Sequence, residues 1–151
     1  MKHPPVTLAD DPRFFALLTG SYRRLVGQPL LPGPGLGPDW LYASAPFAVL
    51  SHDRGADPLF VYANRAAQRA FGYAWDEIVG MPSRLSAEAP ERAERQRLLD
   101  AVARDGFVSG YAGIRVAKDG RRFPVTEGVV WQLIDEEGAV HGQAATFPLP
   151  G

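Results

Sequence analysis

Between Phe107 and Phe147 three β-rich runs, Phe107 to Ala117, Arg122 to Ile134 and Ala139 to Phe147, are separated only by the turn sequences "KDG" and "DEEG". Connections that short join antiparallel neighbours, because a parallel pair needs a crossover of a dozen residues or more. The C-terminal part of the chain is thereby committed to an antiparallel meander. Upstream, "PFAVLSHD" and "DPLFVYAN" are rich in β-formers, and the intervening "DRGAD" predicts a hairpin from Phe47 to Ala63.

Helical segments fill much of the remainder. Asn64 can cap a short helix, "RAAQRAF", that Gly72 closes, and "WDEIVG" offers one more turn with its acidic residues at the N-terminal end. A longer helix runs from about Pro90 to Arg104, with Ala93, Leu98, Leu99, Val102 and Ala103 mostly on one side and Gly106 as its stop. Near the N-terminus, residues 11 to 26 read as an amphipathic helix capped by Asp11, with Phe14, Leu18, Tyr22 and Leu25 at helical spacing and Gly27 at its end. The following "GQPLLPGPGLGPD" is too rich in proline and glycine for helix or strand and reads as a linker; its prolines remove the amide donors a phosphate-binding loop needs. Two strands, a patch of helices and three strands form an α+β pattern, with the helices gathered on one face of one sheet.

At 151 residues the chain buries a single core without a staple. Sixteen basic residues against 17 acidic give no electrostatic bias, so a nucleic acid is not an expected partner, and the mixed charges of "PERAERQR" read as a solvated helix face. Zero cysteines exclude disulfides, thiolate chemistry and cysteine-ligated zinc. His3, His52 and His141 have no partners at metal-ligand spacing, and no "GxSxG" elbow occurs. No apolar stretch approaches the ~20 residues of a membrane span, and the N-terminus lacks the apolar core of a signal peptide. A cytoplasmic protein without a membrane partner is expected.

The stretch "YANRAAQRAFGYAWDEIVGMPSRL" resembles PAS domains, as do the hairpin segments "KDGRRFPV" and "DEEGAVHG". More narrowly, "SYRRL", "PFAVLSHD", "ADPLFVYANRAA", "MPSRLSAE", "VVWQLID" and "GQAATF" resemble the MEKHLA family, PAS-like domains found alone in bacteria and at the C-terminus of plant class III homeodomain-leucine zipper proteins. The resemblance implies a five-stranded antiparallel sheet with helices on one face, plus the N-terminal helix. It divides the chain into a helix and linker over 1–39 and a PAS-like domain over 40–151. It also implies a sensory or protein-interaction role in signal transduction, with any ligand held in a cup between helices and sheet. Signals in such modules commonly leave through a terminal helix or the outer sheet face, which makes the Phe14, Leu18, Tyr22 and Leu25 stripe a candidate surface for a homodimer or protein partner; packing on its own sheet is the alternative.

No flavin adduct or haem is expected. Flavin-adduct photoreceptors carry a cysteine where "GMPSRLS" places Ser83, and their ring-binding amides align with Arg115, Val125 and Phe147. Haem-binding relatives use a histidine on the long helix, and "PERAERQRLLDAVAR" contains none.

Strict alternation through Arg122 to Ile134 puts Phe123, Val125, Glu127, Val129 and Trp131 on one face, taken as the inner one. Pairing the hairpin about "KDG" sets Arg115 beside Val125, with Glu127 a diagonal neighbour, so an ion pair is geometrically possible. One reading is a salt bridge that fixes register, or a bulge that turns one residue out to water. Another is the polar end of a ligand pocket, with aromatic walls from Phe71 and Trp131, Ser83 nearby and Arg84 at the rim. Two alternatives remain: a small enzyme with Glu127 as general base in an enclosed pocket, and a structural adaptor with no pocket.

Overall fold

The computed structural model describes residues 8–87 and 89–149. Helix α1 (Pro12–Val26) is followed by an irregular segment and a π-helical turn at Trp40–Ser44. Strands β1 (Phe47–His52) and β2 (Phe60–Ala63) lead into α2 (Arg65–Phe71), α3 (Trp75–Ile78) and α4 (Ala89–Asp105). Strands β3 (Phe107–Val116), β4 (Arg122–Ile134) and β5 (Val140–Pro148) complete a five-stranded antiparallel sheet of order β2-β1-β5-β4-β3. The first strand thus lies against the last.

Helix ends form where local chemistry favours them. The Asp11 carboxylate accepts from the Arg13 and Phe14 amides, Pro12 sits in the first turn, and Gly27 closes α1 in the left-handed region. Asn64 does more than cap α2. Its buried Oδ1 accepts from the Ala67 and Val49 amides, and its Nδ2 donates to the Leu41 and Phe47 carbonyls, all at 3.0 Å. One saturated amide therefore joins the π-turn, β1 and α2.

The sheet is buried on both sides. Helices α2 and α3 cover Ala48, Leu50, Phe123, Val125 and Phe147 on the inner face, while α1 lies over Val49, Trp131, Leu133 and Ala144 on the outer. Trp131 is fully buried, donates to the Leu18 carbonyl at 3.2 Å and stacks edge-on with Tyr22. The Ser21 hydroxyl donates to the Ile134 carbonyl and accepts from its amide, both at 2.8 Å. The Phe14, Leu18, Tyr22 and Leu25 stripe is consequently spent on the chain's own sheet and is not a free dimer surface. Leu31, from the Gly/Pro-rich segment, joins the same cluster, so the N-terminal helix and linker are packed into one folded unit with the sheet.

Strand β4 departs from strict alternation. Tyr111 pairs with Gly128 and Gly113 with Val125, so β4 spends one residue more than β3 across that interval. The extra residue falls at Glu127, which is exposed and left-handed at φ 53°. Beyond it the faces exchange. Phe123 and Val125 point inward, Gly128 and Val130 continue the inner row, and Trp131 and Leu133 turn to the outer face. The expected inner positions of Glu127 and Trp131 are thereby corrected, and the bulge is the reading that holds. The hairpin register also differs: Arg115 pairs with Phe123, because the turn is centred on Asp119, with the Ala117 amide bonded to the Arg121 carbonyl. That shift is an even number of residues, so Arg115 keeps its inward face.

The bulge makes a prediction. Glu127→Gly removes a side chain from a left-handed position and is expected to stabilise the fold by up to about 1 kcal/mol in denaturant titration. A buried ion pair would instead lose roughly 3–5 kcal/mol, and that result would contradict the bulge.

Candidate functional site

Helix α4 stands off the inner face of the sheet and leaves a cavity of about 80 Å³. Its apolar wall comes from Leu50, Phe60, Phe71, Leu98, Val125 and Phe147, and its polar lining includes His52, Ser83, Arg95, Tyr111, Arg115 and Gln143. Three of the six residues expected here, Phe71, Ser83 and Arg115, do line it. The other three do not. Glu127 faces solvent, Trp131 is on the opposite face under α1, and Arg84 is an exposed partner of Asp57 at 3.1 Å. A general base at Glu127 is excluded by that placement, and a core with no pocket by the cavity.

Arg95 was hidden by the mixed charges of its helix. It is only 7% exposed and donates to the Ser83 hydroxyl. The available signal was spacing: Arg95 precedes Leu98 by three residues and Val102 by seven, on the stripe that faces the sheet. Ala93 and Ala103, assigned to that stripe from the sequence, are exposed. Burial, and next the charge of Arg115, push the Arg95 guanidinium down to about 10, which leaves it charged at neutral pH.

Arg115 is held from below. Its guanidinium donates to the Ile114 carbonyl at 3.1 Å and lies 5.3 Å from the Tyr111 ring centre. Tyr111 in turn lies along the sheet over Gly113, where a Cβ would collide with its hydroxyl oxygen, and against Gly128, where a Cβ would be tight at 3.2 Å from its ring. Gln143 is 8% exposed; its Nε2 donates to the Leu99 carbonyl at 3.1 Å and to Gln132 Oε1 at 3.4 Å. Those two acceptors fix the amide's orientation, and Gln143 Oε1 is buried without a hydrogen-bond partner.

His52 completes the polar lining. Its Nδ1 lies 2.8 Å from the Asp53 carbonyl, which can only accept, so Nδ1 carries the proton. Burial lowers its pKa, opposed by that hydrogen bond and reinforced by the Arg95 charge.

The family model of the MEKHLA domain matches residues 12–149. The chain belongs to the MEKHLA domain family. The match includes α1, in keeping with its packing on the sheet. No curated protein matches the sequence. Among solved structures, the PAS domain of a protein from Colwellia psychrerythraea superposes with a TM-score of 0.61 at 15% identity, covering 70% of this chain and 86% of that one. A cysteine-to-valine variant of the fungal photoreceptor VVD gives 0.59 at 21% identity, over 88% and 93%. The blue-light activated histidine kinase EL346 of Erythrobacter litoralis gives 0.59 at 20%, covering 74% of this chain and 35% of that one. These likenesses establish a PAS-like fold.

The MEKHLA cup does not fit a flavin-cysteine adduct: the chain has no cysteine, and Ser83, which the sequence resemblance aligns with the adduct-forming residue, lines the cavity with its hydroxyl bonded to Arg95. Nor, among the described residues, do three histidine, aspartate or glutamate side chains gather to hold a metal. His3 lies outside the described residues. No helix among them is long and apolar enough to cross a membrane.

His52 gives the site a pH dependence of definite sign. Its folded-state pKa lies below its unfolded value, so the unfolded chain takes the proton first. The stabilising contribution is full above the unfolded value of about 6.5 and declines as pH falls through it toward the folded value. Melting temperature measured from neutral to mildly acidic pH should fall less steeply in His52→Gln than in the wild type; identical slopes would show that His52 is freely solvated.

Proposed function

We propose that this MEKHLA domain is a ligand-responsive sensory module whose cup receives a small organic molecule. The observation that carries this reading is the cavity itself. A packed interior closes around gaps, and one that retains a roomy void lined by buried polar groups among apolar walls has the anatomy of a binding site. Ala145, rather than a larger residue, lines the void from β5. A module of this kind carries no catalytic residues, and its response is a shift in population toward the conformation that binds better.

Filling the cavity tests the proposal. Protein purified from its own host is expected to release a stoichiometric small molecule on denaturation, detected by mass spectrometry. Ala145→Leu, which adds side-chain volume to the cup at a cost of about 1–3 kcal/mol, is expected to stay folded and release none. Equal release from both proteins would place the molecule elsewhere and refute the cup.

A further inference from the structure

The polar lining of the cup has a consistent sign. Arg95 and Arg115 both line it, and the Arg115 charge is the leading electrostatic influence against Arg95 after burial. Two like charges sharing a low-dielectric space are costly unless an anion lies between them. Among the described residues no carboxylate supplies it. Arg95 meets a neutral hydroxyl, Arg115 a backbone carbonyl and an aromatic face, and Asp57, the acid whose field reaches Arg95, is engaged at the surface by Arg84.

Gln143 supplies an independent requirement. With Nε2 committed to Leu99 and Gln132, the amide presents only its unpartnered oxygen, so whatever completes it must bring a hydrogen-bond donor. The apolar part of the wall, Leu50, Phe71, Leu98 and Phe147, favours hydrocarbon. A space of this size, smaller than the ~150 Å³ cavity that accepts benzene, suits a body of about three to five carbons.

Resting on the ligand-cup reading, we infer that the occupant is a short-chain hydroxycarboxylate: its carboxylate held by the guanidiniums of Arg95 and Arg115, its hydroxyl donating to Gln143 Oε1, and its hydrocarbon end against the Phe71 and Leu98 wall. Planar guanidinium forks match a carboxylate's two oxygens, which makes arginine the natural clamp for this group. Binding adds the counterion that the described residues do not provide, so the ligand stabilises the folded state by mass action.

The test is calorimetric titration and thermal shift with 2-hydroxybutyrate, butyrate, the neutral butyramide and inorganic phosphate. The wild type is expected to bind 2-hydroxybutyrate about tenfold or more tighter than butyramide or phosphate, with butyrate between. Arg95→Met removes a buried charge that has no acid partner among the described residues, so it is expected to fold with an unchanged or higher melting temperature and to lose the preference for carboxylate over amide. Gln143→Leu is expected to erase the advantage of the hydroxyl while keeping that of the carboxylate. Equal binding of butyramide and 2-hydroxybutyrate, or full carboxylate binding by Arg95→Met, would overturn the anion inference and leave the cup standing. Phosphate binding tighter than every carboxylate would overturn the ligand class. If neither carboxylates nor butyramide bind, the inference is refuted, and the Ala145→Leu comparison decides separately whether the cup holds anything.

Discussion

Where a strand locally carries one residue more than its neighbour it must turn a side chain aside and exchange its faces beyond that point; in β4 this happens at Glu127, and β3 restores the count between Val108 and Tyr111. Most of the molecule's organisation depends on that exchange. Before the bulge, Phe123 and Val125 pack inward with Phe71; after it, Trp131 and Leu133 pack outward with α1. An uninterrupted strand would send Trp131 into the cup and leave α1 without its largest contact. The bulge thus fastens the N-terminal helix and keeps the cavity open at once. Opposite it, Gly128 and Gly113 make room for Tyr111, whose ring supports Arg115.

Much of this was legible in the sequence because it depends on local chemistry. Asp11, Asn64, Gly27 and Gly72 cap helices where their side chains or left-handed backbones require, and the five strands follow from β-rich runs between turn residues. The bulge was not legible. A period of two reads correctly up to Thr126, and nothing in "PVTEGVV" states that β4 spends an extra residue between Val125 and Gly128; only pairing reveals it. Arg115 survived the error because a register shift of two residues preserves a face, whereas Glu127 and Trp131 did not.

Arg95 shows a different limit. Charge composition argues for a solvated helix, and on most of α4 it holds: Glu94, Gln96, Arg97 and Asp100 are exposed. Helical spacing argues for the face shared with Leu98 and Val102, and at Arg95 spacing prevails, since a long side chain can run along apolar surface toward a polar end such as Ser83. A buried guanidinium with no acid partner among the described residues is expensive, and proteins tolerate such expense chiefly at functional sites. Asn64 illustrates the opposite solution, a buried polar group whose every hydrogen-bonding capacity is used inside the fold.

The central claim is that the bulge opens a cup whose polar end is cationic and without an internal counterion among the described residues. A crystal structure of protein purified from its native host, at a resolution that defines ordered solvent, tests it most directly. The account predicts Glu127 in the left-handed region facing solvent, Trp131 under α1, and density for an anionic molecule bridging Arg95 and Arg115. Trp131 inside the cup, or a protein carboxylate paired with Arg95, would contradict it.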